Sequence, residues 1–160
     1  MNNKYYKALR FTHAALTLLL AAFFIMKGIQ KFGPVKLRDK HITVENKELI
    51  VQKIIEQQNY EAPYGYDITM NTMRQSGFLK VIGVFQVLAG ILMLFPRTRM
   101  AGLLVLLPVI LNIFLMHLFF DNRPHENSET GMYLALTILL LLFYSRYLWN
   151  IIWLKKPSVK

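Results

Sequence analysis

The sequence predicts an all-α, polytopic membrane protein: a four-transmembrane-helix bundle with both termini cytoplasmic and a long first outer loop containing a short amphipathic helix. Three observations carry that prediction. Four long apolar runs, Leu9 to Met26, Phe78 to Phe95, Met100 to Phe120 and Gly131 to Tyr144, fill much of a 160-residue chain. Hydrophobic residues make up 54% of it and mean hydropathy is positive, which is more apolar surface than a soluble domain of 18.7 kDa has core to hide. The charges are also segregated, with all nine acids confined to two of the segments between runs.

The first span, about 9–26, begins amid the basic residues Lys4, Lys7 and Arg10. It has the layout of a signal peptide, yet Lys27-Gly28-Ile29-Gln30-Lys31 follows it and no small-x-small cleavage site closes it. The expectation is an uncleaved first helix.

The outer loop, 27–76, is the one stretch with room for structure outside the membrane. From Val44 to Gln58, apolar Val44, Leu49, Ile50, Val51, Ile54 and Ile55 alternate with Glu45, Glu48, Lys53 and Glu56, which suits a helix with one greasy face. Such a helix would lie on the membrane surface or cap the bundle. Tyr60 to Asp67, with Pro63 and Gly65 among three tyrosines, reads as a turn at an interface.

The second span, about 78–95, carries Lys80 near its start, where a long side chain snorkels toward the surface. Further along, Gly83, Gln86 and Gly90 fall on one helical stripe, where a neighbouring helix can approach closely while Gln86 bonds across the contact.

The third span, about 100–120, would need a polar stripe at a 3.6-residue period if it were soluble. It has instead only Pro108 and Asn112 between Met100 and Met116. Pro108 cannot donate to the carbonyl of Leu104 and is expected to kink the helix, with Asn112 one turn later on the same face. The fourth span, about 131–150, is long enough to cross only if Tyr144 to Leu154 continues it; Trp149 and Trp153 would then anchor the inner side. No internal repeat is visible, and residues 1–160 read as a single domain.

Orientation follows from the short loops. Residues 1 to 10, Pro96 to Arg99 and the tail from Arg146 hold nine basic residues and no acid. The tight turn with Arg97 and Arg99 outweighs Arg123, which sits beside Asp121 and Glu126, although Lys27, Lys31, Lys36, Arg38 and Lys40 crowd the first loop. The formal charge of +10 therefore reads as topology and contact with anionic lipid, not as a nucleic-acid footprint.

Chemistry has few places to reside. The absence of cysteine excludes dithiol chemistry and thiolate metal ligation. His117, Asp121 and His125 recur at a spacing of four and would suit zinc on one helix, but Pro124 ends that helix before His125, so no metal site is expected. His13 and His117 fall in opposite leaflets and cannot share a haem. Lys31, His117, Asn112 and Gln86 instead fall at successive depths from the outer level toward the midplane, and together they would outline a cleft open to the outer leaflet.

The sequences Gly28-Ile29-Gln30-Lys31-Phe32, Gly77-Phe78, Gly83-Val84-Phe85-Gln86-Val87-Leu88-Ala89-Gly90 and Pro108 to His117 resemble those of the DoxX family, in order and spacing along the whole chain. The resemblance implies a multi-pass protein of the bacterial inner membrane in a family associated with quinone-linked oxidoreductases. Family members often have a glutamate where this chain has Gln86, which removes an ionisable group from the bilayer. The expected function is that of a non-catalytic accessory or scaffold subunit, without a cofactor, in contact with membrane lipid and with protein partners through the outer loop. The alternative is a quinone-binding subunit using Lys31, Gln86, Asn112 and His117. A transporter fits less well, because the spans hold one proline and no acid.

Overall fold

The computed structural model describes residues 3–34, 44–57 and 64–152, and every regular element among them is helical. Helix α1 spans Asn3–Gln30. It closes as Lys31, Phe32 and Gly33 donate backbone N–H groups to Gly28, Ile29 and Gln30, a tightening that satisfies its last carbonyls before Pro34. Helix α2, Val44–Val51, passes into a π-helical turn at Gln52–Glu56. Within α2 Ile50 is buried, while Leu49 and Val51 are exposed.

Helix α3, Tyr64–Gln75, replaces the second half of the expected turn at Tyr60 to Asp67, whose first four residues lie outside the described ones. Asp67 in its first turn favours the positive helix end, and Tyr66 and Asp67 are both buried, so tertiary contacts outweigh the turn-forming composition. Gly77, at φ 80°, then breaks the chain by 80° before helix α4, Phe78–Leu94. That left-handed conformation is one glycine adopts at little cost. At the other end of α4, Phe95 is extended, as the residue before Pro96 should be. The turn is tied down by Thr98 Oγ1 donating to the Leu92 carbonyl at 2.7 Å and Arg99 Nε donating to that of Met93 at 3.3 Å.

Helix α5, Arg99–Met116, runs through Pro108 and ends in a π-helical turn at His117–Asp121. Asn122 takes a left-handed conformation and Pro124 opens helix α6, Pro124–Leu142, where its missing N–H costs nothing. The helix expected at about 131–150 is thus corrected at both ends: it starts earlier, at Pro124, and breaks at Phe143 and Tyr144, so residues 145–152 do not continue it. Helix α7, Ser145–Ile152, is separate: it leans Leu148 on the core and exposes Trp149, and Trp153 lies outside the described residues.

One hydrophobic core draws on α1 (Leu20, Ala21, Phe24), α4 (Ala89, Met93), α5 (Leu103, Leu106, Ile110) and α6 (Leu140, Leu141). Small residues set the spacing. A β-carbon on Gly102 would lie 2.7 Å from the Ala89 carbonyl, and one on Gly90 would meet the Ala21 carbonyl at 3.0 Å as well as Ile25. Backbones therefore nearly touch along α4, as small residues permit when helices pack in lipid. Buried Thr17 and Thr137 turn their hydroxyls back to carbonyls four residues earlier, so both are paired within their own helices. Near Tyr144, His13 Nε2 donates to the Leu140 carbonyl at 3.2 Å and its ring stacks on Phe143 at 4.4 Å.

The faces turned away from this core are apolar too: Leu19, Phe85, Phe119 and Leu139 are all exposed. Two helical stretches, Lys4–Gln30 and Arg99–Asp121, are long and apolar enough to cross a membrane. Gly65–Gln75 with Phe78–Leu94 makes a third if the bent pair counts as one span. The fold is consistent with a membrane protein, since apolar residues on both faces of a helix call for lipid on the outer one.

Candidate functional site

At the end where α1 stops and α6 begins, two adjoining cavities share Lys27, Lys31, His117 and Glu126 in their walls. The inner one, about 180 Å³, is a recess walled by Phe23, Phe24, Ile110, Ile113 and Tyr133, with Gln86 among its lining residues. The ring of Phe23 stacks on that of Tyr133 at 4.3 Å, joining α1 to α6. Gln86 is 2% exposed and its Oε1 has no hydrogen-bond partner. The expected bond from Gln86 across the helix contact is therefore not made. A buried amide oxygen left unpaired costs about 1 to 3 kcal/mol unless a ligand or water donates to it.

His117 reaches the same recess from the π-helical turn and is held from behind. Its Nδ1 donates to Asp121 Oδ2 at 3.0 Å, and Arg123 grips the same carboxylate through Nε to Oδ1 and Nη2 to Oδ2, both at 2.7 Å. Fork-to-fork pairing of this kind fixes orientation as well as charge. Bonding to Asp121 raises the Arg123 pKa above its ordinary value. A carboxylate on Nδ1–H selects the tautomer whose Nε2 lone pair faces outward, here toward Tyr66 Oη at 3.4 Å. Asp121, 2% exposed, lies four residues after His117 at the end of the π-helical turn, so the two share one side of the helix.

The outer cavity, about 460 Å³, is polar. Lys27 and Lys31 enter it from α1 and the turn after it, Arg74 from α3 and Lys80 from the start of α4. Lys80, expected to snorkel, is exposed and lines this chamber. The stem of Lys31 crosses α4 at Gly83, where an added β-carbon would lie 3.1 Å from Lys31 Cβ. Burial holds the Lys31 ammonium below the usual lysine range, and the charges of Lys27 and Arg74 push it the same way.

Three of the four residues singled out in the sequence thus meet: Lys31, Gln86 and His117 all line the inner recess. Asn112 does not. It is exposed beside Pro108 in a separate apolar groove of about 500 Å³ between α4 and α5. Asn112 precedes His117 along the same helical stretch, but five residues at 100° each turn it far from His117 around the axis. Tyr66, Arg74 and Tyr133 also belong to the two cavities and went unnoticed in the sequence, Tyr66 because its segment reads as a turn. His125 is exposed in the first turn of α6, and among the described residues no group of three or more His, Asp and Glu side chains is placed to hold a metal ion.

No family model and no solved structure match the chain. Uncharacterized protein YwoB of Bacillus subtilis (strain 168) is 36% identical over 58 residues, which is 36% of this chain. The chain spans 38% of the length of that relative.

Proposed function

We propose that the chain is a DoxX-like, four-span protein of the bacterial inner membrane, with both termini cytoplasmic, that serves a membrane complex by holding a lipid-soluble quinone in the recess beside Gln86 and His117. The observation that carries this reading is the unpartnered, buried Oε1 of Gln86 in a recess whose aromatic and aliphatic walls also carry Lys31, His117, Glu126, Glu129 and Thr130. A carboxamide can donate to a quinone carbonyl and accept from a quinol hydroxyl, so it suits either redox form without being ionised. His117 lines the same recess, its ring held by the bond from Nδ1 to Asp121 and by Tyr66 Oη 3.4 Å from Nε2. Aromatic Phe23 and Tyr133 supply flat walls for a ring. A bound quinone would supply electron transfer, while the residues of this chain orient the ring and exclude water. The reading joins the accessory role to the binding role: the subunit holds the carrier for its partners.

Purification in mild detergent, followed by solvent extraction and mass spectrometry, tests it. The wild-type protein should retain quinone, and Gln86→Leu and His117→Ala should each retain at least five-fold less with an unchanged melting profile. Wild-type protein that takes up no quinone even after reconstitution with it overturns the reading.

A further inference from the structure

We infer that the polar chamber above the recess is an anion site for a tetrahedral phosphate group, held by Lys31 and Lys80 with Lys27 and Arg74 around it. The inference goes beyond the quinone reading and does not depend on it. It depends on the membrane reading only where the phosphate belongs to a lipid.

Four cations from the end of α1, the turn after it, α3 and α4 converge on one space of about 460 Å³. Such convergence is costly, because like charges repel and the Lys31 ammonium is partly stripped of water. Among the described residues the one carboxylate in the chamber wall, Glu126, is already paired with Arg123 Nη2 at 3.4 Å. Among the described residues Lys31 has no acidic partner, and the charges that act on it, Lys27 and Arg74, are both positive. An anion entering the chamber beside Lys31 and Lys80 turns repulsion at Lys31 into attraction.

The chemistry of the walls narrows the anion. Ammonium groups act as point charges with several rotatable donors, and a guanidinium supplies a planar fork, which together suit a group with three or more oxygens and more than one negative charge. Tyr66 and His117 add further polar atoms to the chamber wall. A phosphomonoester matches this set better than a carboxylate, whose two oxygens would leave cations unpaired. Its source is a lipid headgroup or free phosphate.

Binding to the full chain in dodecylmaltoside, read by native mass spectrometry and by melting temperature, tests the site. The probes are inorganic phosphate, dioleoyl phosphatidic acid and dioleoyl phosphatidylcholine. Phosphatidic acid should occupy one saturable site at least ten-fold more tightly than phosphatidylcholine. Lys31→Gln and Lys80→Gln should each weaken it ten-fold or more, and Arg97→Gln, at the opposite end of α4, should not. Because Lys80 is exposed, its variant folds even where the Lys31 variant does not. Competition by inorganic phosphate alone identifies the free anion as the ligand; phosphatidic acid binding without competition identifies the headgroup. No preference for phosphatidic acid together with no phosphate binding, or binding unaltered in both lysine variants, overturns the inference. Gln86→Leu should leave phosphate binding intact, so loss of quinone in that variant with phosphate binding retained separates the two sites.

Discussion

Gly28 and Gly83 face each other so closely across α1 and α4 that neither has room for a β-carbon: each would place it 2.8 Å from the other's carbonyl oxygen. The obstacle in both cases is backbone, which cannot rotate away. Gly28→Ala and Gly83→Ala should each destabilise the protein by about 1 to 3 kcal/mol, the usual cost of overpacking. Thermal denaturation in detergent measures this, and an unchanged melting temperature in both variants would show that the helices separate without cost.

The Lys31 ammonium should make the protein more stable when it is removed. Its pKa is lowered in the folded state, so between that lowered value and the ordinary 10.5 the unfolded chain binds more protons. Stability therefore rises with pH across this window, and the penalty is present in full below it. Lys31→Met should gain roughly 1 kcal/mol at neutral pH without added anion and should lose the rise in alkali. A variant less stable than wild type at neutral pH contradicts the assignment.

Arg123 should matter far more than its partial exposure suggests. It balances the carboxylate of Asp121, whose side chain is fully buried. Arg123→Gln leaves that charge with only His117 and should cost about 3 kcal/mol, as breaking a buried pair does. Glu126→Gln removes the longer 3.4 Å contact to the same guanidinium and should cost under 1 kcal/mol. Equal losses in the two variants would show that Asp121 does not depend on the pair.

Asn112 provides the test of geometry. It lies in the groove between α4 and α5, away from the recess. Asn112→Ala should retain quinone at the wild-type level while His117→Ala does not, and parallel loss in both would place them in one site after all.

Topology is tested by labelling. Cysteines introduced at the exposed positions Ser128 and Arg97 lie at opposite ends of the long helices. An impermeant thiol reagent applied to intact cells should label the first and spare the second; the reverse pattern inverts the proposed orientation.

The sequence by itself determined the helical class and the position of most long helices, because an apolar run leaves a chain in lipid no other way to satisfy its backbone. The second and third runs end within a few residues of α4 and α5, where Gly77, Pro96 and Asn122 punctuate them. The glycine stripe on α4 was equally legible, since a helical period projects Gly83 and Gly90 onto one face whatever packs there. What only the tertiary structure decided was azimuth and local deviation. The π-turn at His117–Asp121 rotates the residues after it, the break at Phe143 ends α6 early, and contacts around Tyr66 and Asp67 convert a turn-like stretch into α3. Depth along an axis can be counted from a sequence, so Lys31, Gln86 and His117 were found together. The direction in which Asn112 points depends on which helices flank α5, and that is settled by packing between segments far apart in the chain.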